Sequence, residues 1–263
     1  MEKLGNDNVI YKKGNGIEYL QFKRLLDYGI KHAYTLKGEG INFRTNSPEE
    51  KECYERIFDA VGLDINTFVK PLQRHTDNVR CIDRVMDREE LKEVDGLITD
   101  KENITLVTTN ADCILFSFYD PVKKVIANVH SGWRSTFQKI AEKAALKMIN
   151  YYRCNPEDIE VYIWPSIRRC HFEVDRDVKE LCEDIFGFTG RTNDFIEKGL
   201  IKDEKQKYLI DTVLINKILL TELGIKEENI FDCEICSVCS GDKIASYRVE
   251  GKGFKLATSI ISL

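Results

Sequence analysis

No apolar run in this sequence approaches the roughly 20 residues that a helix needs to cross a bilayer, which argues against a membrane-spanning protein. The opening stretch, MEKLGNDNVIYKKGNG, lacks the apolar segment of a secretion signal, so the cytoplasm is the expected location. Basic charge is not in surplus either: 39 Lys and Arg stand against 44 Asp and Glu, a formal net charge of −5. A general nucleic-acid binder needs clustered cations to neutralise phosphates, so that class drops out, although a local anion pocket does not. Low-complexity tracts, fixed-period repeats and Pro/Gly/Ser-rich linkers are missing too. With no internal boundary to place, residues 1–263 are expected to form one domain, long enough to bury a substantial core.

Histidine is scarce, with four residues, whereas cysteine is plentiful, with nine. An odd count without an export signal points to free thiols rather than a disulfide framework, and a buried free cysteine packs as a small hydrophobe. Helix and strand patterns alternate along the chain. Ser47-Pro48-Glu49-Glu50 reads as an N-cap, an N1 proline and an acidic first turn, followed by Cys53, Ile57 and Val61 at four-residue spacing before Gly62. The segment after Gly132, with Phe137, Ile140, Ala141, Ala144 and Met148, reads as a second amphipathic helix. Val178, Leu181, Cys182 and Ile185 suggest a third, and Asp211 to Gly224 a fourth, capped by Asp211. Strand-like runs lie between them at Thr67–Val69, Ile104–Val107, Ile114–Tyr119, Val125–Val129, Ile159–Ile163 and Leu256–Ile261. The short Asp120-Pro121 turn pairs the third and fourth of these as a hairpin. The pattern as a whole predicts an α+β domain with helices covering a mixed or antiparallel sheet.

Two of the histidines sit in unusual company, in Gln73-Arg74-His75-Thr76-Asp77 and Asn128-Val129-His130-Ser131-Gly132-Trp133-Arg134. Taken singly, a histidine is more often a satisfied structural residue than a ligand. In the hairpin reading, however, Cys113 and His130 fall at the outer ends of paired strands on one sheet edge, close enough to share an ion. His75 would join them from a separate strand end. Two imidazoles and one thiolate make a tetrahedral zinc site with one corner left for water or substrate, which is the catalytic rather than the structural pattern.

The strings LQRHTDNV, VDGLITD, TTNADCILF, NVHSGWRSTFQKIA, CHFEV and SYR, in that order, resemble the family that includes the bacterial YfiH and YlmD proteins and human FAMIN. Its members are called multicopper polyphenol oxidases or laccase-domain proteins, and also purine nucleoside phosphorylases and adenosine deaminases. The resemblance runs from about His32 to the end of the chain. It implies a single-domain α/β/β/α-type sandwich and a zinc ion on His75, Cys113 and His130. The implied reactions are phosphorolysis of adenosine, inosine, guanosine and methylthioadenosine, with purine nucleosides and phosphate as partners, and hydrolytic deamination of adenosine by a monomer or small homo-oligomer. The older name implies copper and phenol oxidation, but a three-ligand mononuclear site in a chain with four histidines lacks the donors a multicopper enzyme needs; copper remains a substitute ion for zinc.

For phosphate, Arg134 is a candidate because a strand passes through Ser131-Gly132 into a helix there, and helix N-termini favour anions. Arg248 in Ser246-Tyr247-Arg248 is a second; Lys37 stands where the family usually has arginine, and Asn42 matches a recurrent family asparagine. Asp112, Asp77 and Glu173 are carboxylates that could carry a proton, with Asp112 expected to point away from its neighbour Cys113. Trp133 reads as core before base-stacking wall. The chain departs from the family at Lys37, at Gly253-Phe254-Lys255 in place of a Thr-Gly-Arg string, and at Trp164 to Cys170 in place of a glycine-rich stretch, which bears on specificity. Cys233, Cys236 and Cys239 form C-x2-C-x2-C, but no fourth ligand follows at the expected spacing, so they read as structural. Two other classes stay open: a non-catalytic metal-binding partner protein, and a thiol hydrolase with Cys113 as nucleophile and His75 or His130 as base.

Overall fold

The Asp120-Pro121 turn does close a hairpin. Ile114–Asp120 and Val125–Ser131 pair antiparallel, with Ile114 opposite Ser131 and Leu115 opposite His130. A computed structural model describes residues 4–202 and 205–263, and this hairpin lies at the centre of one of its two large sheets. That sheet has the order Ile230–Asp232, Glu160–Ile163, Ile114–Asp120, Val125–Ser131, Gly96–Thr99 and Val79–Cys81. The other six-stranded sheet runs Val9–Gly14, Ile17–Phe22, Lys31–Thr35, Ala257–Ser262, Thr105–Asn110 and Phe68–Val69. A small third sheet combines Glu173–Val174, Lys205–Ile210 and Ile196–Lys202. Among the described residues there are also eight α-helices, so the fold is α+β.

Strand alternation explains the layering, because successive side chains leave a strand on opposite faces. Leu115 and Ile126 meet Leu20, Leu106 and Ile261 of the opposite sheet, with Trp164 buried between them. The alternate residues Phe116, Phe118, Ala127 and Val129 face outward and pack under Ile140, Ala144 and Met148. On the far side, Ile17, Ala33, Val107 and Ile260 are covered by Tyr54, Ile57 and Phe58 of the helix Glu50–Val61. The order of layers is therefore helix, sheet, sheet, helix. The buried side chain of Asn128 stitches the two sheets together by donating to Leu106 O at 3.1 Å and Ser259 O at 3.0 Å. Buried polar groups persist only when bonded in this way.

Several elements differ from the expectations of sequence. The helix after Gly132 is two helices, Trp133–Phe137 and Ile140–Tyr152, because Lys139 adopts φ 61° between them. The first long helix starts at Glu50 rather than after Ser47. Its Glu50 side chain turns back to accept from Asn46 N at 2.8 Å and from the buried Lys70 ammonium at 2.6 Å. The strands Val9–Gly14 and Ile17–Phe22 had no counterpart in the predicted pattern. They meet at Asn15-Gly16, both at positive φ, the geometry favoured by a two-residue hairpin turn. Third and fourth helices fall at Arg176–Phe186 and Thr212–Glu222, and Asp211 caps the latter by accepting from Leu214 N at 2.9 Å. All nine cysteines are free. Among the described residues no helix is long and apolar enough to cross a membrane.

Candidate metal centre

His130 shares strand parity with Ile126 and Asn128, so its side chain lies on the face between the sheets, one residue before the strand ends at Ser131. Cys113 sits just outside the partner strand. Its position is set by the turn before it: Asn110 donates from Nδ2 to Cys113 O at 2.6 Å and to Pro165 O at 3.0 Å. Asp112, at φ 84°, turns its carboxylate away to accept from Ser237 Oγ at 2.6 Å and from Arg248 N at 2.7 Å. His75 arrives on a loop held from both sides. Gln73 donates to Thr109 O at 2.8 Å and accepts from Thr109 N at 2.8 Å, which fastens the loop to the first sheet.

The other clamp is Asp95, a fully buried carboxylate immediately before the strand Gly96–Thr99. It accepts from the backbone N–H groups of Arg74 at 3.1 Å, His75 at 3.0 Å and Thr76 at 2.8 Å, and from Thr76 Oγ at 2.7 Å. Three successive amides can converge on one anion because His75 itself adopts φ 60°. The same carboxylate accepts from His130 Nδ1 at 2.8 Å. A carboxylate only accepts here, so Nδ1 carries the hydrogen and Nε2 is left as the donor atom; this is how metal-binding imidazoles are usually oriented. One buried residue thus positions two of the three candidate ligands. In the linear string Val94-Asp95-Gly96 nothing assigns the aspartate a role. Its one signal was a carboxylate at the head of an apolar strand.

The donor atoms of His75, Cys113 and His130 all lie within 4.8 Å of one another, with Cys113 Sγ 3.6 Å from His75 Nε2. Gly132 makes room for them: a Cβ there would fall 3.2 Å from Cys113 Sγ and closer still to the His75 ring. Electrostatics favour a cation. Burial would raise the Cys113 thiol, but the neighbouring imidazoles of His130 and His75 bring it down to about 6. Burial would lower His130, but Cys113 and Asp95 bring it up to about 9. Asp95, despite its burial, is held down at about 2 by His130 and the Thr76 donors. A thiolate facing a protonated imidazole is a site in which a divalent ion can take the proton's place. The donor set, two nitrogens and one sulfur, fits zinc with a fourth corner open.

The centre opens into a cavity of about 840 Å³, walled by Trp133, Phe172, Tyr247 and Phe254 among others and lined by the cations Arg44, Lys70, Arg74, Arg88 and Arg248. Arg248 lines the same cavity as the three ligands, with its guanidinium donating to His171 O at 3.2 Å and Glu173 O at 3.3 Å. Trp133 is half-buried and belongs to the wall as well as to the packing against Phe137. Arg134, Lys37 and Asn42 do not line the cavity. Arg134 is exposed and lies 4.2 Å above the Trp133 ring. Lys37 pairs with Glu250 at 3.3 Å, and Asn42 Oδ1 accepts from Arg44 N and Leu256 N. Of the three carboxylates considered, Asp112 reaches the cavity with both oxygens engaged. Asp77 pairs with Lys143, and Glu173 with Lys202 at 2.9 Å. Arg44 and Arg74 went unassigned in the sequence, where a lone arginine carries no mark of facing a cavity.

A helix-sheet-sheet-helix protein with a His/Cys triad at one hairpin end and a cationic cavity above it defines a class. Residues 40–262 match the family described as multi-copper polyphenol oxidoreductase laccase, and the chain belongs to it. Purine nucleoside phosphorylase CA_C1699 of Clostridium acetobutylicum is 29% identical over 243 residues, covering 92% of this chain and 94% of that protein. The human purine nucleoside phosphorylase LACC1 is also 29% identical, over 89% of this chain, but the chain spans only 53% of its length. Adenosine deaminase RL5, from an unknown prokaryotic organism, is 29% identical over 73% of this chain and 76% of that protein. Among solved structures, Bacillus licheniformis hypothetical protein YfiH superposes with a TM-score of 0.84 at 24% identity, over 93% of this chain and 96% of its own. YlmD from Geobacillus stearothermophilus gives 0.78 at 18% identity, over 98% and 99%. The homologues' names support an enzyme of nucleoside chemistry, and the Cys/His grouping supports a metal.

Proposed function

We propose that the chain is a single-domain, zinc-dependent purine nucleoside enzyme that splits adenosine, inosine, guanosine or methylthioadenosine with phosphate and also deaminates adenosine. The observation that carries this reading is the convergence of His75, Cys113 and His130 at the floor of a cavity with aromatic walls and several cations. In deamination, adenosine and water give inosine and ammonia; in phosphorolysis, adenosine and phosphate give adenine and ribose 1-phosphate. When bound, the ion would supply Lewis-acid activation of water for attack at the purine C6. The chain's own residues do the rest. His75, Cys113 and His130 hold the ion, and Asp95 fixes His130 in one tautomer. Arg248 together with Arg74 and Arg44 supplies the cationic rim that phosphate requires, since guanidinium pairs with phosphate oxygens in a bidentate fork. Tyr247, Phe254 and Trp133 offer apolar faces for a base.

Copper-based phenol oxidation is poorly supported by the donor supply. The remaining histidines are His32, bonded to backbone in the core, and His171, which is grouped with other thiols. A thiol-hydrolase reading draws on the same Cys113 thiolate beside His130. Metal content separates the two, because a ligating thiolate is not free to attack. The test is to incubate metal-analysed protein with adenosine, with and without phosphate, and to resolve adenine, inosine and hypoxanthine by chromatography. Adenine that requires phosphate, or inosine that does not, supports the proposal. Stoichiometric zinc with no product from any purine nucleoside favours a non-catalytic metal-binding partner and overturns it. Undiminished turnover by His130→Ala would exclude the zinc mechanism.

A further inference from the structure

Away from the hairpin, the fold completes a second donor set that the linear pattern leaves one ligand short. Two loops run side by side. Ser166 forms a parallel bridge with Cys236, with Ser166 N donating to Ile235 O at 3.3 Å and Ser237 N donating to Ser166 O at 2.9 Å. This pairing brings Cys170-His171 from one loop against Cys236 and Cys239 from the other. All four donor atoms lie within 4.8 Å of one another. Cys233, the third member of the C-x2-C-x2-C string, is absent from this group; it is buried in the core between the two large sheets.

The distances have the shape of a coordination polyhedron. His171 Nδ1 lies 3.2 Å from Cys170 Sγ, 3.4 Å from Cys239 Sγ and 3.6 Å from Cys236 Sγ. Cys170 Sγ lies 3.6 Å from Cys236 Sγ and 3.9 Å from Cys239 Sγ. With Zn–S near 2.3 Å and Zn–N near 2.0–2.1 Å, the edges of a zinc tetrahedron are about 3.8 Å between sulfurs and about 3.6 Å between sulfur and nitrogen. A disulfide would instead need one sulfur pair at about 2.05 Å and would give the imidazole no reason to stand against all three sulfurs. We propose that Cys170, His171, Cys236 and Cys239 bind a second, structural zinc ion in a closed three-sulfur, one-nitrogen site.

Four protein ligands leave no corner for a substrate, so this ion acts on architecture. It would pin the loop whose Ser237 Oγ holds Asp112, the neighbour of Cys113. It would also pin His171, whose carbonyl receives Arg248. Cys236 is buried, His171 half-buried, and Cys170 and Cys239 exposed, so an ion has access from solvent. This second site requires nothing of the nucleoside chemistry.

The test is zinc stoichiometry on the full chain. Wild-type protein should hold two equivalents. Cys113→Ala should lose the hairpin ion and keep one, Cys239→Ser should lose the other and keep one, and the double variant should hold none. Should Cys239→Ser fail to fold, the Cys113→Ala protein, stripped by a chelator and titrated with Co²⁺, should show one equivalent with thiolate-to-cobalt charge-transfer absorption of three-sulfur intensity. The proposal is overturned if Cys113→Ala holds no zinc and gives no such band. Resistance of Cys170, Cys236 or Cys239 to alkylation that persists after zinc is removed by a chelator and is lifted only by a reductant would equally overturn it in favour of a disulfide.

Discussion

Gly132→Ala adds one methyl group against two of the three candidate metal ligands, His75 and Cys113. Gly132 has φ −70° and ψ 172°, extended backbone that alanine adopts freely, so the substitution carries no backbone penalty. Removing a glycine should even stabilise by about 0.4–1 kcal/mol through the unfolded chain. The whole effect therefore falls on the site. The new Cβ would stand inside 3.0 Å of His75 Cδ2 and 3.2 Å from both His75 Nε2 and Cys113 Sγ. Ordinary carbon contacts lie at about 3.5–4.0 Å, so the imidazole must retreat by on the order of 1 Å. Metal–ligand distances tolerate only about 0.2 Å, so His75 would cease to be a ligand and zinc affinity should fall at least about 100-fold, the upper end of what orienting residues alone are worth. Chelator competition and thermal unfolding, run together, check this. The control is Gly187→Ala, where a Cβ meets nothing within 4 Å. A folded Gly132→Ala protein whose zinc affinity stays within about threefold of wild type would refute the geometry of the triad.

Asp95→Asn should weaken zinc binding about 10–100-fold, because the amide cannot accept from His130 and from three backbone donors at once. It should also cost about 1–3 kcal/mol of stability in denaturant titration; wild-type values for both would remove Asp95 from its clamping role. Arg248→Met should raise KM for phosphate well above its effect on adenosine deamination, and equal losses in the two reactions would count against Arg248 as a phosphate anchor. Glu50→Ala should cost about 3–5 kcal/mol by leaving the Lys70 ammonium buried without its partner, readable as a lowered Tm. His32 supplies a pH signature. Burial holds it down at about 4, and its neutral ring accepts from Phe22 N at 2.8 Å while Nδ1 faces Ile30 O at 2.9 Å. Between pH 6.5 and 4 the unfolded chain binds a proton that the folded one refuses, so stability falls as pH falls, by about 2–3 kcal/mol between pH 7 and 4.5. Stabilities from urea titrations at pH 7 and 4.5 should fall by about that much more for wild type than for His32→Gln, and parallel pH profiles would contradict it.

Local order alone determined a good deal of this protein. The hairpin at Asp120-Pro121, the helix ending at Gly62 and the Asp211-capped helix follow from turn chemistry, spacing and caps, which act over a few residues. The same turn chemistry at Asn15-Gly16 marks the first hairpin, but in Ile17–Phe22 the polar residues Glu18 and Gln21 fall three apart, out of step with the period-two alternation that identifies a half-buried strand. Because parity and hairpin pairing are local, the approach of Cys113 to His130 was legible in the chain. Tertiary structure alone decided three further matters. Asp95 became the clamp because a positive φ at His75 turns three amides inward, and nothing in the one-dimensional pattern marks that conformation. Arg248, rather than Arg134, came to line the cavity because which way an exposed arginine points depends on the neighbouring loops. Cys170 and His171 met Cys236 and Cys239 because two loops more than sixty residues apart in the chain bridge at Ser166 and Cys236. Spacing rules describe ligands contributed by one stretch of backbone, whereas sheet assembly brings together ligands whose separation along the chain carries no information about their distance in space.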